Sequence, residues 1–128
     1  MSHELGEKKA VLIVGHGSRL RYFQRPMEKL VHDLRKNKQY KKVYCCYLEI
    51  TPPSLGDAIK ASVEDGAEEI LILPYFLLMG NHVKFDIPNI VKQAQKKYQS
   101  RAKLKLCPYL GYDEKILEVV QERLKGAL

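Results

Sequence analysis

Cysteine is scarce in this chain and nowhere spaced as a scaffold. Cys45, Cys46 and Cys107 make an odd count with no C-x-x-C. A disulfide framework, a cysteine zinc site and a thiolate-held iron–sulfur cluster are therefore not expected. Cys45 and Cys46 are adjacent in a stretch that reads as a strand, so they should point to opposite faces. No apolar run approaches the ~20 residues of a transmembrane helix, and no apolar h-region follows the opening M-S-H-E-L-G-E-K-K. A cytoplasmic location, reduced thiols and no membrane partner are the expectation. No Walker loop or dinucleotide glycine motif is present, and there is no repeat, linker or low-complexity segment. Acids are in the minority, with 15 Asp and Glu against 22 Lys and Arg, for a formal charge of +7. That balance favours an acidic partner: nucleic acid, an anionic membrane or a polyanionic small molecule. The basic residues gather at Arg35 to Lys42 and Lys92 to Lys105, where the plainest reading is a solvated face. A nucleic-acid partner is not expected, because no reading motif and no interleaved aromatics accompany these runs.

The 128 residues suffice for one domain spanning 1–128, with residues 1–9 expected to be poorly ordered. Ala10 to Val14 is a short apolar run rich in β-branched residues, as in a buried strand of a parallel sheet. Phe23, Met27, Leu30, Val31 and Leu34 then recur at helical spacing and predict a helix over about Arg21 to Lys38. Met27 belongs to that core stripe, and His32 lies beside it as a surface or boundary residue. Val43 to Ile50 reads as a second strand, ending at Glu49 and broken by Pro52 and Pro53. Leu55, Ile59 and Val63 mark the next helix, with Gly66 as its stop. Glu69 to Pro74 is a third strand, running on into the apolar Tyr75 to Met79. Asp86 reads as an N-cap with Pro88 in the first helical turn, and Ile87, Ile90, Val91, Ala94 and Tyr98 form the buried face. Leu104 to Cys107 is the fourth strand. Asp113 caps a last helix whose stripe is Ile116, Leu117, Val120 and Leu124.

Strict alternation of strands and helices predicts an α/β fold: three layers, α/β/α, around a four-stranded parallel sheet. The strand order expected for so small a sheet is 2-1-3-4. Its switch-point crevice lies between the loops after strands one and three. His16 stands in the first of these loops, between Gly15 and Gly17, and His82 follows the third strand. Glu49, at the end of strand two beside strand one, can reach the same crevice. Neutral imidazoles suit borderline divalent metals such as cobalt, nickel, iron and zinc, and they also accept protons near neutral pH. A carboxylate beside them orients a histidine or serves as a base. The plainer alternatives are a turn-capping His16, a helix-start His82 and a Glu49 that only faces water.

Three segments sharpen the choice. They are V-G-H-G-S-R at Val14 to Arg19, L-E-I-T-P-P-S-L at Leu48 to Leu55, and L-P-Y-F-L-L-M-G-N-H-V-K-F-D-I-P at Leu73 to Pro88. Together they resemble the sirohydrochlorin chelatases, class II chelatases, in their short single-domain form. C-P-Y-L-G-Y-D at Cys107 to Asp113 resembles the family's last loop, so the likeness runs over essentially the whole chain from Ala10. Phe85 departs from the pattern, since many relatives carry a polar or basic residue there. A histidine-rich insert and an added cysteine motif are also missing.

The resemblance implies that His16 and His82 are the metal-site histidines and that Glu49 is the strand-end glutamate beside them. The implied reaction inserts a divalent metal into sirohydrochlorin, a tetrapyrrole with carboxylate arms that suits a basic chain. Cobalt is the first expectation, with nickel or iron as alternatives. No cofactor beyond the metal substrate is expected. His16, His82 and Glu49 are the expected catalytic residues. Gly15, Gly17, Ser18, Gly80 and Asn81 are expected to donate to the macrocycle's carboxylates, and Phe76, Leu77, Leu78 and Met79 to form a wall against the ring. Short members of the family act as homodimers, and a domain of this size encloses a macrocycle poorly by itself. Competing readings are a carrier of metal or tetrapyrrole and, less well matched, a histidine phosphatase. The latter carries Arg directly before its histidine, where this chain has Gly15.

Overall fold

A computed structural model of the protein describes residues 8–128. Strands β1 (Lys9–Gly15), β2 (Val43–Tyr47), β3 (Glu69–Pro74) and β4 (Lys103–Leu106) form one parallel sheet in the order β2-β1-β3-β4. Helices α1 (Arg25–Arg35), α2 (Leu55–Glu64), α3 (Ile87–Tyr98) and α4 (Glu114–Ala127) alternate with them. Helices cover both faces of β1, which explains its unbroken apolar run: Ala10 to Gly15 are all buried. On one face, Leu12, Val14, Ile70 and Ile72 pack with Leu55, Ile59 and Val63 of α2 and Ile87 and Val91 of α3. On the other face, Val11, Ile13 and Val43 pack with Met27 and Val31 of α1. Cys46 faces the first core and Cys45 the second.

Several boundaries differ from the sequence reading, each for a local reason. Helix α1 starts at Arg25 instead of Arg21, because Tyr22 takes a left-handed φ of 65° in the turns before it and Pro26 opens the first helical turn. Its end shortens from Lys38 to Arg35 as Asn37 and Lys36 fold back onto Leu34 and Asp33. Strand β2 stops at Tyr47, because the chain bends sharply from Leu48 and Ile50 takes a φ of 67°. Strand β4 is set one residue earlier than Leu104 to Cys107. Lys9, expected to be poorly ordered, is part of β1, and Lys8 accepts from the Glu68 amide. Residues 1–7, including His3, lie outside the described residues.

The outer edge of β2 is protected. Arg35 reaches from α1 to donate to the Val43 carbonyl at 2.9 Å, and the Tyr47 amide donates to Pro53 at 2.9 Å. Such caps discourage a second strand from adding to the edge. Helix α4 is capped by Asp113 as expected. Its apolar stripe, however, is largely uncovered among the described residues: Leu117, Val120 and Leu124 are exposed, Ile116 is half-buried and no α4 residue is fully buried. On the α1 side of the sheet, Leu71 and Leu73 of β3 are likewise only partly buried.

The packing orders the three thiols. Burial pushes Cys46 up to about 12, and it also raises Cys45 and Cys107 by less. Because the thiolate is the reactive form, a thiol reagent at neutral pH should modify Cys45 and Cys107 slowly and Cys46 only after unfolding. Mass spectrometry of the labelled peptides reads the order. Labelling of Cys46 in the folded protein as fast as the other two would contradict this core.

Candidate functional site

The parallel ladder between β1 and β2 runs one step past both strands. The Leu48 amide donates to Gly15 and the Glu49 amide to His16, each at 3.1 Å. The two loops therefore leave the sheet side by side, with Glu49 opposite His16. Gly17 makes this possible. Its φ is 102°, and a Cβ there would come 1.8 Å from the Glu49 carbonyl oxygen, so only glycine fits. Gly15 is tight for another reason, since a Cβ would meet Met27 Sδ at 2.6 Å. Thr51 fastens the loops by bonding both the amide and the carbonyl of Ser18.

His82 arrives from the far side of β1. It opens a five-residue π-helical turn, His82–Asp86, in which Ile87 donates to the His82 carbonyl. Turns of this kind are frequent at functional sites. Pro88 follows directly and has no N–H to continue an α-helical ladder. Asp86 is accordingly not the N-cap that the sequence suggests. It sits in helical backbone, and its Oδ2 lies 2.7 Å from His82 Nδ1.

His16, Glu49 and His82 meet at the carboxyl edge of the sheet. One ligand atom from each lies within 4.8 Å of the others. The imidazole centroids are 4.8 Å apart at 59°, so the rings are tilted rather than stacked. The hydrogen bonds settle which nitrogens face the centre. An Asp86 carboxylate oxygen accepts, so His82 Nδ1 carries hydrogen and Nε2 is left free. His16 Nδ1 likewise donates to the Gly17 carbonyl at 3.0 Å. His16 Nε2 then faces Glu49 Oε1 at 2.7 Å. A bare imidazole nitrogen and a carboxylate oxygen are both acceptors, so a positive species must lie between them: a proton, or a metal ion in its place. About half of each of these two side chains is open to solvent, so the centre is an open one. Three protein ligands with room for a further group is the pattern of catalytic rather than structural metal sites.

The other expected residues take varied positions. Gly15 and Gly17 are buried, and both stand where an added Cβ would clash. The Ser18 hydroxyl accepts from the Leu20 amide, so it too helps shape the loop. Phe76 packs near His82, with centroids 6.5 Å apart. Leu77, Leu78 and Met79 are exposed beside it, Leu78 at 82%. Gly80 and Asn81 are exposed, and a Cβ at Gly80 would meet nothing within 4 Å. The loop after β1 adds features the sequence reading passed over: exposed Leu20 and Tyr22 beside Arg19, Arg21 and Arg25, with the Arg25 guanidinium 3.7 Å above the Tyr22 ring. Asp86 was also missed. The signal was the four-residue step from His82, masked because Asp-Ile-Pro looks like a helix start.

A family model described as CbiX matches residues 10–127. The chain is 32% identical over 124 residues to the chloroplastic sirohydrochlorin ferrochelatase of Arabidopsis thaliana, covering 97% of this chain and 55% of that one. It is 30% identical over 138 residues to the sirohydrochlorin cobaltochelatase of Methanopyrus kandleri, covering 93% and 96%. Among solved structures it is similar to the sirohydrochlorin chelatase SirB from Bacillus subtilis subspecies spizizenii in complex with cobalt. There the TM-score is 0.84 at 29% identity, over 93% of this chain and 50% of that one. The chain thus spans about half the length of the plant and bacillus proteins and nearly all of the archaeal one.

Two substitutions test the geometry. Gly17→Ala should displace the Glu49 loop and cost roughly 1–3 kcal/mol, the range for strained backbone, read as a lower denaturation midpoint. Were this centre to hold a divalent ion, Asp86→Ala should weaken its binding about 10–100-fold, the usual loss when the group behind a ligating histidine is removed, with an unchanged circular dichroism spectrum. Wild-type affinity in Asp86→Ala would show that Nε2 of His82 does not need its partner.

Proposed function

The chain belongs to the CbiX family, and on that footing we propose that it inserts a divalent metal into sirohydrochlorin. The observation that carries this reading is the convergence of His16, His82 and Glu49 at an open switch-point crevice, with one ligand atom from each within 4.8 Å. Insertion requires three things: loss of water from the ion, loss of the pyrrole N–H protons and approach of the ion to one face of the ring. Nε2 of His82 and Nε2 of His16 replace water on the incoming ion. The proton between His16 and Glu49 leaves to solvent as the metal takes its place, and Glu49 Oε1, half open to water, then accepts the two pyrrole protons in turn and passes each to water. The apolar Phe76 to Met79 segment offers a flat ring a surface, and Arg19, Arg21 and Arg25 offer its carboxylates cations. The open space at Gly80 fits close approach of a ligand.

Cobalt is the metal we propose first, because imidazole and carboxylate ligands suit it. The relatives are named for cobalt and for iron, so Fe²⁺ and Ni²⁺ are the comparison arms. The decisive assay is anaerobic absorbance of sirohydrochlorin with each metal, with and without catalytic protein. His16→Ala and His82→Ala should each slow chelation at least about 100-fold, as expected for loss of a direct catalytic group. Wild-type rates in both would refute the mechanism, and tight binding without turnover would make the protein a carrier.

We further propose that the working unit is a homodimer. The exposed Leu117, Val120 and Leu124 stripe of α4 supports packing against a second copy. An amphipathic helix with its apolar stripe in water is a poor final state. Sedimentation should give a dimer mass for the wild type and a monomer mass for a Val120→Glu, Leu124→Glu variant. A wild-type monomer at micromolar concentration would overturn the assignment.

A further inference from the structure

The two substrates of the proposed reaction make opposite electrostatic demands. A chain of charge +7 attracts a polycarboxylate macrocycle and repels a divalent cation. Beyond about 8–10 Å, salt screens that repulsion, so the last stretch of the ion's route decides how fast it arrives. One cavity offers a suitable stretch. It holds about 320 Å³ and is lined by Leu48, Glu49, His82, Asp86, Asn89 and Ile90. It lies between the loop after β2 and the first turn of α3, on the α2–α3 side of the sheet. The exposed apolar residues Leu20, Tyr22 and Leu77 to Met79 stand instead in the loops after β1 and β3, and none of them lines it.

We propose that this cavity is the entry port for the hydrated metal ion, separate from the face on which the macrocycle lands. Size fits that division. A divalent ion with about six waters needs roughly 180 Å³, at ~30 Å³ per water, and so fits, whereas a four-ring macrocycle with its carboxylate arms does not. Chemistry fits it too. Glu49, Asp86 and the Asn89 amide present oxygens to a water shell, and they are the atoms that water of a hard or borderline cation bonds best. His82 and Glu49 line the cavity and also belong to the ligand cluster, so the ion meets these two ligands from within the cavity and His16 next. Asn89 is a positioning residue in this scheme: it contacts the ion's waters and not the reacting nitrogens.

The port deepens the chelatase reading, but its test does not depend on turnover. Stopped-flow absorbance follows Co²⁺ association with the metal-free protein by the cobalt d–d bands. Asn89→Lys, which places a cation in the mouth of the cavity, should slow association about tenfold at low salt, within the range of electrostatic steering. Asn89→Asp should speed it, and the final cobalt spectrum should be the same in both. Gln99→Lys adds the same charge at the far end of α3, about 15 Å away at 1.5 Å per residue, and controls for net charge. In steady-state chelation, Asn89→Lys should raise the KM for Co²⁺ and leave the KM for sirohydrochlorin alone. Equal association rates in Asn89→Lys and Gln99→Lys would overturn the port, whether or not the protein chelates. A shift in the KM for sirohydrochlorin in place of that for metal would also overturn it. Absence of turnover with altered association rates would overturn the chelatase reading and keep the port.

Discussion

The close passage of the β1 and β2 loops is the constraint on which the site rests. Two amide-to-carbonyl bonds beyond the last sheet rung hold Glu49 opposite His16, and Gly17 lets the backbones approach without a Cβ between them. These bonds are extensions of the parallel ladder. The precision of the sheet is thereby passed to side chains that stand outside it. A loop held only by its own contacts would not keep two ligand atoms 2.7 Å apart, because ordering each residue costs about 1–2 kcal/mol of backbone entropy. Here the sheet supplies that ordering.

The second histidine is held differently. His82 rides on a π-helical turn continuous with α3, whose base is sealed into the core by Val83 and Ile87. Asp86, four residues on, lies against its Nδ1. The two imidazoles are therefore presented by unrelated devices, a ladder extension and a helical bulge, yet both turn Nε2 to the same point. In each case a backbone or side-chain oxygen takes up Nδ1. This shared feature leaves both rings oriented while their side chains remain partly open to solvent.

Charge and apolar surface are divided around that point. The loop after β1 and the first residue of α1 bring Arg19, Arg21 and Arg25, while the cavity beside His82 brings Glu49 and Asp86. The exposed stripe of α4 and the half-covered Leu71 and Leu73 of β3 belong to a different level of organisation. They are apolar surfaces left uncovered among the described residues, in a chain that spans about half the length of several of its relatives.

Hydropathy and order along the chain were enough to read the parallel sheet, its 2-1-3-4 strand order and the meeting of His16 with His82. Buried parallel strands are written as continuous apolar runs, and topology then carries their ends to one edge. Glu49 was legible for the same reason, as a residue at a strand end beside strand one. Asp86 was not, because whether Asp-Ile-Pro begins a helix or interrupts one depends on where the preceding loop is tethered, here by Val83 in the core. The fate of the α4 stripe was equally hidden: periodicity reports that a helix has an apolar face, not what covers it. Local pattern thus determined the elements and their sequence. Tertiary packing alone decided the orientation of each imidazole, the glycine-only contact at Gly17 and the cavity behind His82, because all three arise from distances between segments far apart in the chain.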